Sequence, residues 1–184
     1  MKKTTWIIII IVVALALYLG SFYNGLVKKD QSVQAQWAQV ENQFQRRFDL
    51  IPNLVNSVQG AMSQEQKVFG DLAEARTRYA GAQTVNQKAE AATQVESALA
   101  RLLVIMENYP QLKSVEAVQQ LMAQLEGTEN RVAVERGRFN DEVRLFNNSV
   151  KQFPGNLIAP LFGFSAKNYF EAASGSETAP KVEL

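Results

Sequence analysis

The stretch Trp37–Val55, WAQVENQFQRRFDLIPNLV, decides how this chain is read. Its apolar residues Trp37, Val40, Phe44, Phe48, Ile51 and Val55 recur every three or four positions, the spacing of one face of an α-helix. Between them stand Glu41, Asn42, Gln45, Arg46, Arg47 and Asp49, an unusually dense polar face. Pro52 falls where the apolar stripe continues but where a helix must give up a hydrogen bond. The phase survives Pro52, which favours one long helix kinked there. The competing arrangement is a new helix capped by Asp49, with Pro52 in its tolerant first turn.

Upstream, Met1–Thr5 is a short polar tail carrying Lys2 and Lys3. Residues 6–27, WIIIIIVVALALYLGSFYNGLV, then run without a charge as far as Lys28 and Lys29. Some 20 apolar residues are needed to cross about 30 Å of hydrocarbon, so this is a single transmembrane anchor. Trp6 at one end and Tyr18, Phe22 and Tyr23 toward the other suit the interfacial preference of aromatic rings. A cleaved signal peptide is the rival reading. Ala14-Leu15-Ala16 has the small-x-small form, but it sits inside the apolar run rather than after it. The flanking lysines are nearly balanced and lean only slightly to an N-terminus in the cytoplasm with the remainder outside.

Downstream, the stripe extends from Val33 through Val58, Met62, Glu65, Phe69, Leu72 and Arg76 to Tyr79. Gly81-Ala82-Gln83 breaks it, and Thr84 with Gln87 opens a further helix as a capping box. That helix carries Val85, Ala92, Val95, Leu99, Leu102 and Met106, and stops at Asn108-Tyr109-Pro110. Ser114 can cap the next stripe, from Val115 through Val132, Phe139 and Phe146 to Phe153, which Pro154-Gly155 ends. PGNLIAPLFGF is too short to cross a membrane and is expected to fold back over one end of the bundle, contact with lipid being the lesser alternative. Residues 172–184 read as a flexible tail. No strand-period segment occurs. The expected fold is all-α: a transmembrane helix followed by an elongated up-and-down helical bundle over residues 28–171. Phe44, Leu72, Phe139 and Phe146 are its expected core.

Composition removes much chemistry. The 184 residues contain no cysteine and no histidine, so thiolate nucleophiles, imidazole bases and the usual catalytic triads are excluded. A net charge of +1 gives no electrostatic footprint for nucleic acid. No glycine-rich nucleotide loop is present, and no metal or cofactor site is legible. Glu41 and Asp49 are too far apart along a helix, about 12 Å, to form an acid pair. Glu65 and Glu129 lie within apolar stripes and are expected to pair with an arginine such as Arg136 or Arg76. The polar face of Glu41, Asn42, Gln45, Arg46, Arg47 and Asp49 has two readings: a solvated helix surface, or a recognition surface for a partner or a second protomer.

Several motifs occur together: Tyr23-Asn24, Val40-Glu41-Asn42-Gln43, Gln45-Arg46-Arg47 and Asp49-Leu50-Ile51-Pro52-Asn53-Leu54-Val55. Glu107-Asn108-Tyr109-Pro110, Gly127-Thr128-Glu129-Asn130-Arg131, Phe139-Asn140, Phe146-Asn147, Phe162-Gly163-Phe164 and Tyr169-Phe170-Glu171 follow in order. In these the sequence resembles the LemA family of bacterial membrane-anchored proteins. The resemblance implies a four-helix-type bundle on one transmembrane helix, in the bacterial inner membrane, with no established catalytic residues. The function expected is a non-enzymatic scaffold or adaptor that self-associates or docks a membrane partner. The alternatives are an accessory subunit of an envelope enzyme such as a membrane protease, and a cryptic carboxylate hydrolase.

Overall fold

A computed structural model describes residues 3–170; the expected tail, 172–184, lies outside the described residues. Five α-helices account for most of the described residues: α1 Lys3–Val58, α2 Gln66–Gly81, α3 Val85–Met106, α4 Glu116–Lys151 and the single turn α5 Gly155–Ile158. Short 3₁₀ turns cover Pro110–Ser114 and Ala159–Phe162. No strand occurs among the described residues. They form two compact units, one from 3–38 and 138–169, the other from 39–137 and Phe170. Both α1 and α4 contribute to each.

The four-helix unit holds the second part of α1, then α2, α3 and the first part of α4. Helix α1 passes through Pro52 without reversing, so Asp49 starts no new helix. It does end at Val58, which corrects the expectation of one helix as far as Tyr79. Tight backbone turns, among them Met62 N–H to Val58 O and Glu65 N–H to Met62 O, connect it to α2. After the break Leu72 and Tyr79 stay buried as the stripe required, while two of its other positions slip by one residue. Val68 and Ala75 are buried in α2, where a continuous helix would have turned Phe69 and Arg76 inward. In α1 likewise Leu54 is buried and Val55 only half-buried. The capping box of α3 forms as read: Gln87 N–H donates to Thr84 Oγ1, and Thr84 N–H donates to Gln87 Oε1. Of its alanines Ala91, Ala92 and Ala98 are buried, while Ala89 is half-buried and Ala100 exposed, and α2 and α3 pack against each other. Phe44 and Leu72 are fully buried here, as the stripe required.

The second unit pairs the first part of α1 with the last part of α4. Leu26, Val33 and Trp37 of α1 and Phe139, Val143, Phe146 and Val150 of α4 are all buried, and the Trp37 and Phe139 rings meet edge-on at 5.4 Å. Asn147 is buried and holds the extended segment after α5: its Nδ2 donates to Lys167 O at 2.8 Å, and Lys167 N–H donates to its Oδ1 at 2.7 Å. The Lys167 ammonium then reaches Asp30 on α1 at 2.7 Å. Helix α4 ends at Lys151, so Phe153 leaves the stripe and becomes 81% exposed. The PGNLIAPLFGF segment does fold back. The Phe162 and Phe164 rings meet Tyr23 at a tilt, with centroids at 5.1 and 6.0 Å, and Phe164 meets Phe146 edge-on at 6.2 Å. Glycine is required at 155 for this approach. A Cβ there would lie 1.8 Å from the Ser149 carbonyl oxygen.

Candidate partner-binding face

The polar residues of Glu41–Asp49 divide into two groups once α1 is packed. Val40, Phe44, Phe48 and Ile51 turn inward, and at 100° per residue Arg47 falls on the edge of that same face. Arg47 is therefore buried, with 7% of its side chain exposed. Its Nη1 lies 3.4 Å from Glu96 on α3 and its Nη2 lies 3.3 Å from Glu129 on α4. Arg136 of α4 joins the same carboxylate at 2.8 Å and lies over the rings of Phe44 and Phe170, at 5.0 and 4.4 Å. Glu96 is thus shared by two guanidinium groups. Glu129 pairs with Arg47 rather than with Arg136 or Arg76, and Glu65 accepts a hydrogen bond from Tyr109 instead of an arginine. The Nε atoms of Arg47 and Arg136 have no hydrogen-bond partner among the described residues.

Glu41 is half-buried and pairs with Lys88 of α3. Its charge acts on Tyr79, whose phenol is pushed up to about 12, by burial first and by Glu41 second. An unfolded tyrosine ionises near 10, so the folded state binds this proton more tightly between about pH 10 and 12. The associated stability is complete below pH 10 and is lost as pH rises through that window. In an alkaline titration followed by tyrosinate absorbance, Tyr79→Phe should delete the latest-ionising step. An unchanged curve would place that step on another tyrosine.

The remaining residues stay at the surface. Asn42, Gln45, Arg46 and Asp49 are exposed, and Gln45 Nε2 donates to Asp49 Oδ1 at 2.7 Å along the helix. Glu41 and Asp49 each have a partner of their own and are not brought together. Of the six residues read as one face, then, four form an outward row, one is tied to Lys88, and Arg47 belongs to the interior.

Beside Arg47 and Glu129, α3, the Pro110–Ser114 turn and α4 enclose an open groove of about 670 Å³. Its floor includes Leu99, Leu103, Met106, Leu112, Met122 and Leu125, and Glu107 and Glu126 also line it. It could accept an apolar side chain or a helix edge with a polar group at the rim. Sequence reading missed both Glu96 and this groove. Glu96 follows the buried Val95 directly in α3, a position on the flank of the stripe where a charge needs a partner.

A LemA family model matches residues 36–184, and so takes in the whole of this arrangement. The chain belongs to the LemA family. Among curated proteins, this LemA-family chain is similar to magnetosome protein MamQ 2 of Paramagnetospirillum magneticum. The two are 25% identical over 193 residues, 91% of this chain and 71% of the relative. Magnetosome protein MamQ 1 of the same organism matches equally. MamQ of Magnetospirillum gryphiswaldense is 24% identical over 182 residues, covering 85% and 67%. The family match begins at Gln36, after the apolar run of α1. That run is long and apolar enough to cross a membrane.

Proposed function

We propose that this LemA-family protein is a single-pass scaffold or adaptor of the bacterial inner membrane, without catalysis of its own. In this reading residues 6–27 cross the bilayer, the N-terminus is cytoplasmic and the helical bundle over 28–171 lies outside. The outward row of α1 docks a second copy or a membrane partner. One observation carries the reading. Asn42, Gln45, Arg46 and Asp49 remain exposed, whereas Glu41 and Arg47 of the same stretch are engaged inside the unit. Amide and guanidinium groups at one-turn spacing offer directional hydrogen bonds, the kind of contact that gives a partner register.

The test is the mass and composition of the particle extracted in mild detergent. Asn42→Ala combined with Arg46→Ala should shrink the particle or release a stoichiometric second protein, because loss of an interface arginine often costs about 2 kcal/mol or more of binding. The melting of the bundle should stay within about 0.5 kcal/mol of wild type, as for other exposed substitutions. A doubly substituted particle of unchanged mass and composition would remove this row from the docking surface. A wild-type particle holding one chain and no other protein would remove docking altogether.

A further inference from the structure

The charge-free segment Phe153–Ala166 is folded against the anchor yet leaves large apolar side chains uncovered. Phe153, Leu157 and Leu161 are 81%, 64% and 81% exposed, while Gly155 and Ala159 face inward. The contacts fix its level on α1: a Cβ on Gly155 would sit 3.2 Å from the Phe22 ring, and the Phe162 ring packs at a tilt on Tyr23 at 5.1 Å.

That level can be compared with a bilayer. Trp6 to Phe22 is 16 steps of α-helix, about 24 Å at 1.5 Å per residue. The hydrocarbon core is about 30 Å thick. A span that begins at Trp6 has therefore not left the apolar layer when it reaches Phe22, and the first charges, Lys28 and Lys29, lie further along the helix. Whatever is packed on Phe22 and Tyr23 lies at the same depth. The segment's backbone suits such a place, since a polar group in hydrocarbon must find its partner within the protein. Amides of Asn156, Leu157, Ile158, Ala159, Gly163 and Phe164 all donate to carbonyls within Gln152–Pro160.

We infer that Phe153, Leu157 and Leu161 form a second membrane contact, a short wedge immersed at the headgroup–acyl boundary beside the transmembrane helix. The inference rests on residues 6–27 being a true span. Its occupant is lipid, because the patch continues the lipid-facing surface of α1. In this inference lipid contact, the lesser alternative for the segment, accompanies folding back instead of competing with it.

The chain has no cysteine, so one introduced cysteine gives one labelled site. Full-length protein carrying Val13→Cys, Leu157→Cys, Leu161→Cys or Arg144→Cys is labelled with a nitroxide and reconstituted in phosphatidylcholine–phosphatidylglycerol vesicles. Collision with oxygen, which concentrates in lipid, is compared with collision with a water-soluble nickel chelate. Labels at 157 and 161 should be oxygen-dominated like the label at 13, and opposite to the label at 144. Nickel-dominated labels at 157 and 161, with an oxygen-dominated label at 13, overturn the wedge and keep the anchor. A nickel-dominated label at 13 overturns the anchor reading, and the wedge with it. Shielding of 157 and 161 from both reagents means that protein covers the patch, which also overturns the inference.

Discussion

Replacing Phe146 with alanine is expected to lower stability by about 3–5 kcal/mol, the usual cost of emptying a fully buried phenylalanine site. Phe146 is 1% exposed, and its ring is held by Phe164 at 6.2 Å and by the Lys167 ammonium at 5.3 Å. The cavity would open beneath the segment that Asn147 binds through two hydrogen bonds, so local order around Lys167 should fall as well. For a domain of this size about 1 kcal/mol shifts the thermal midpoint by roughly 2–4 °C, so a drop on the order of 10 °C is expected in detergent. A midpoint equal to wild type would show that this face of α4 is not part of the folded core.

Arg47→Ala should be nearly as damaging, and Arg46→Ala next to it nearly silent. Removing one partner of a buried ion pair costs about 3–5 kcal/mol, because the other charge is left uncompensated. Two features moderate the figure here. Glu129 is 65% exposed and can return to water, and Glu96 keeps Arg136 at 2.8 Å. A loss of about 3 kcal/mol is therefore expected for Arg47→Ala, against less than about 0.5 kcal/mol for Arg46→Ala. Chemical denaturation of the two single variants measures the contrast. Equal losses would mean that both arginines lie at the surface. Stability changes of this kind would also separate Arg47 from any role in docking, since the neighbouring row would be left intact.

The helical nature of the chain was legible because apolar residues recur at helical spacing over long stretches, and Phe44, Leu72, Phe139 and Phe146 lie in the interior for that reason. The capping box at Thr84 was equally legible, since both its hydrogen bonds are made within four residues. The break after Val58 was not. The stripe keeps three- and four-residue steps across Gln59–Glu65, so periodicity alone cannot distinguish a turn from a continuing helix. What it does to the side chains shows only in the one-residue slip to Val68 and Ala75. The polar face was read correctly as dense and incorrectly as uniform. Arg46 and Arg47 are adjacent in sequence, yet 100° of rotation sends one to water and the other to Glu96, a partner 49 residues away. No local signal carries that pairing, because the partner is chosen by how α3 and α4 pack. Phe153 failed in the opposite sense, as an apolar residue two positions past the end of its helix.

The fold begins before the apolar run ends. Leu26 is 1% exposed and Phe22 half-buried, although both precede Lys28, the residue at which charge would suggest separating a soluble fragment. Severing the chain there would discard Phe22, Tyr23 and Leu26 and leave Phe162, Phe164 and the Gly155 turn without their counterparts. Such a fragment would be more soluble and less complete. One starting at Leu19 would keep those counterparts, at the cost of an apolar stretch, Leu19 to Val27, at its new terminus. Water solubility and structural integrity therefore ask for different starting points along the same helix, about two and a half turns apart.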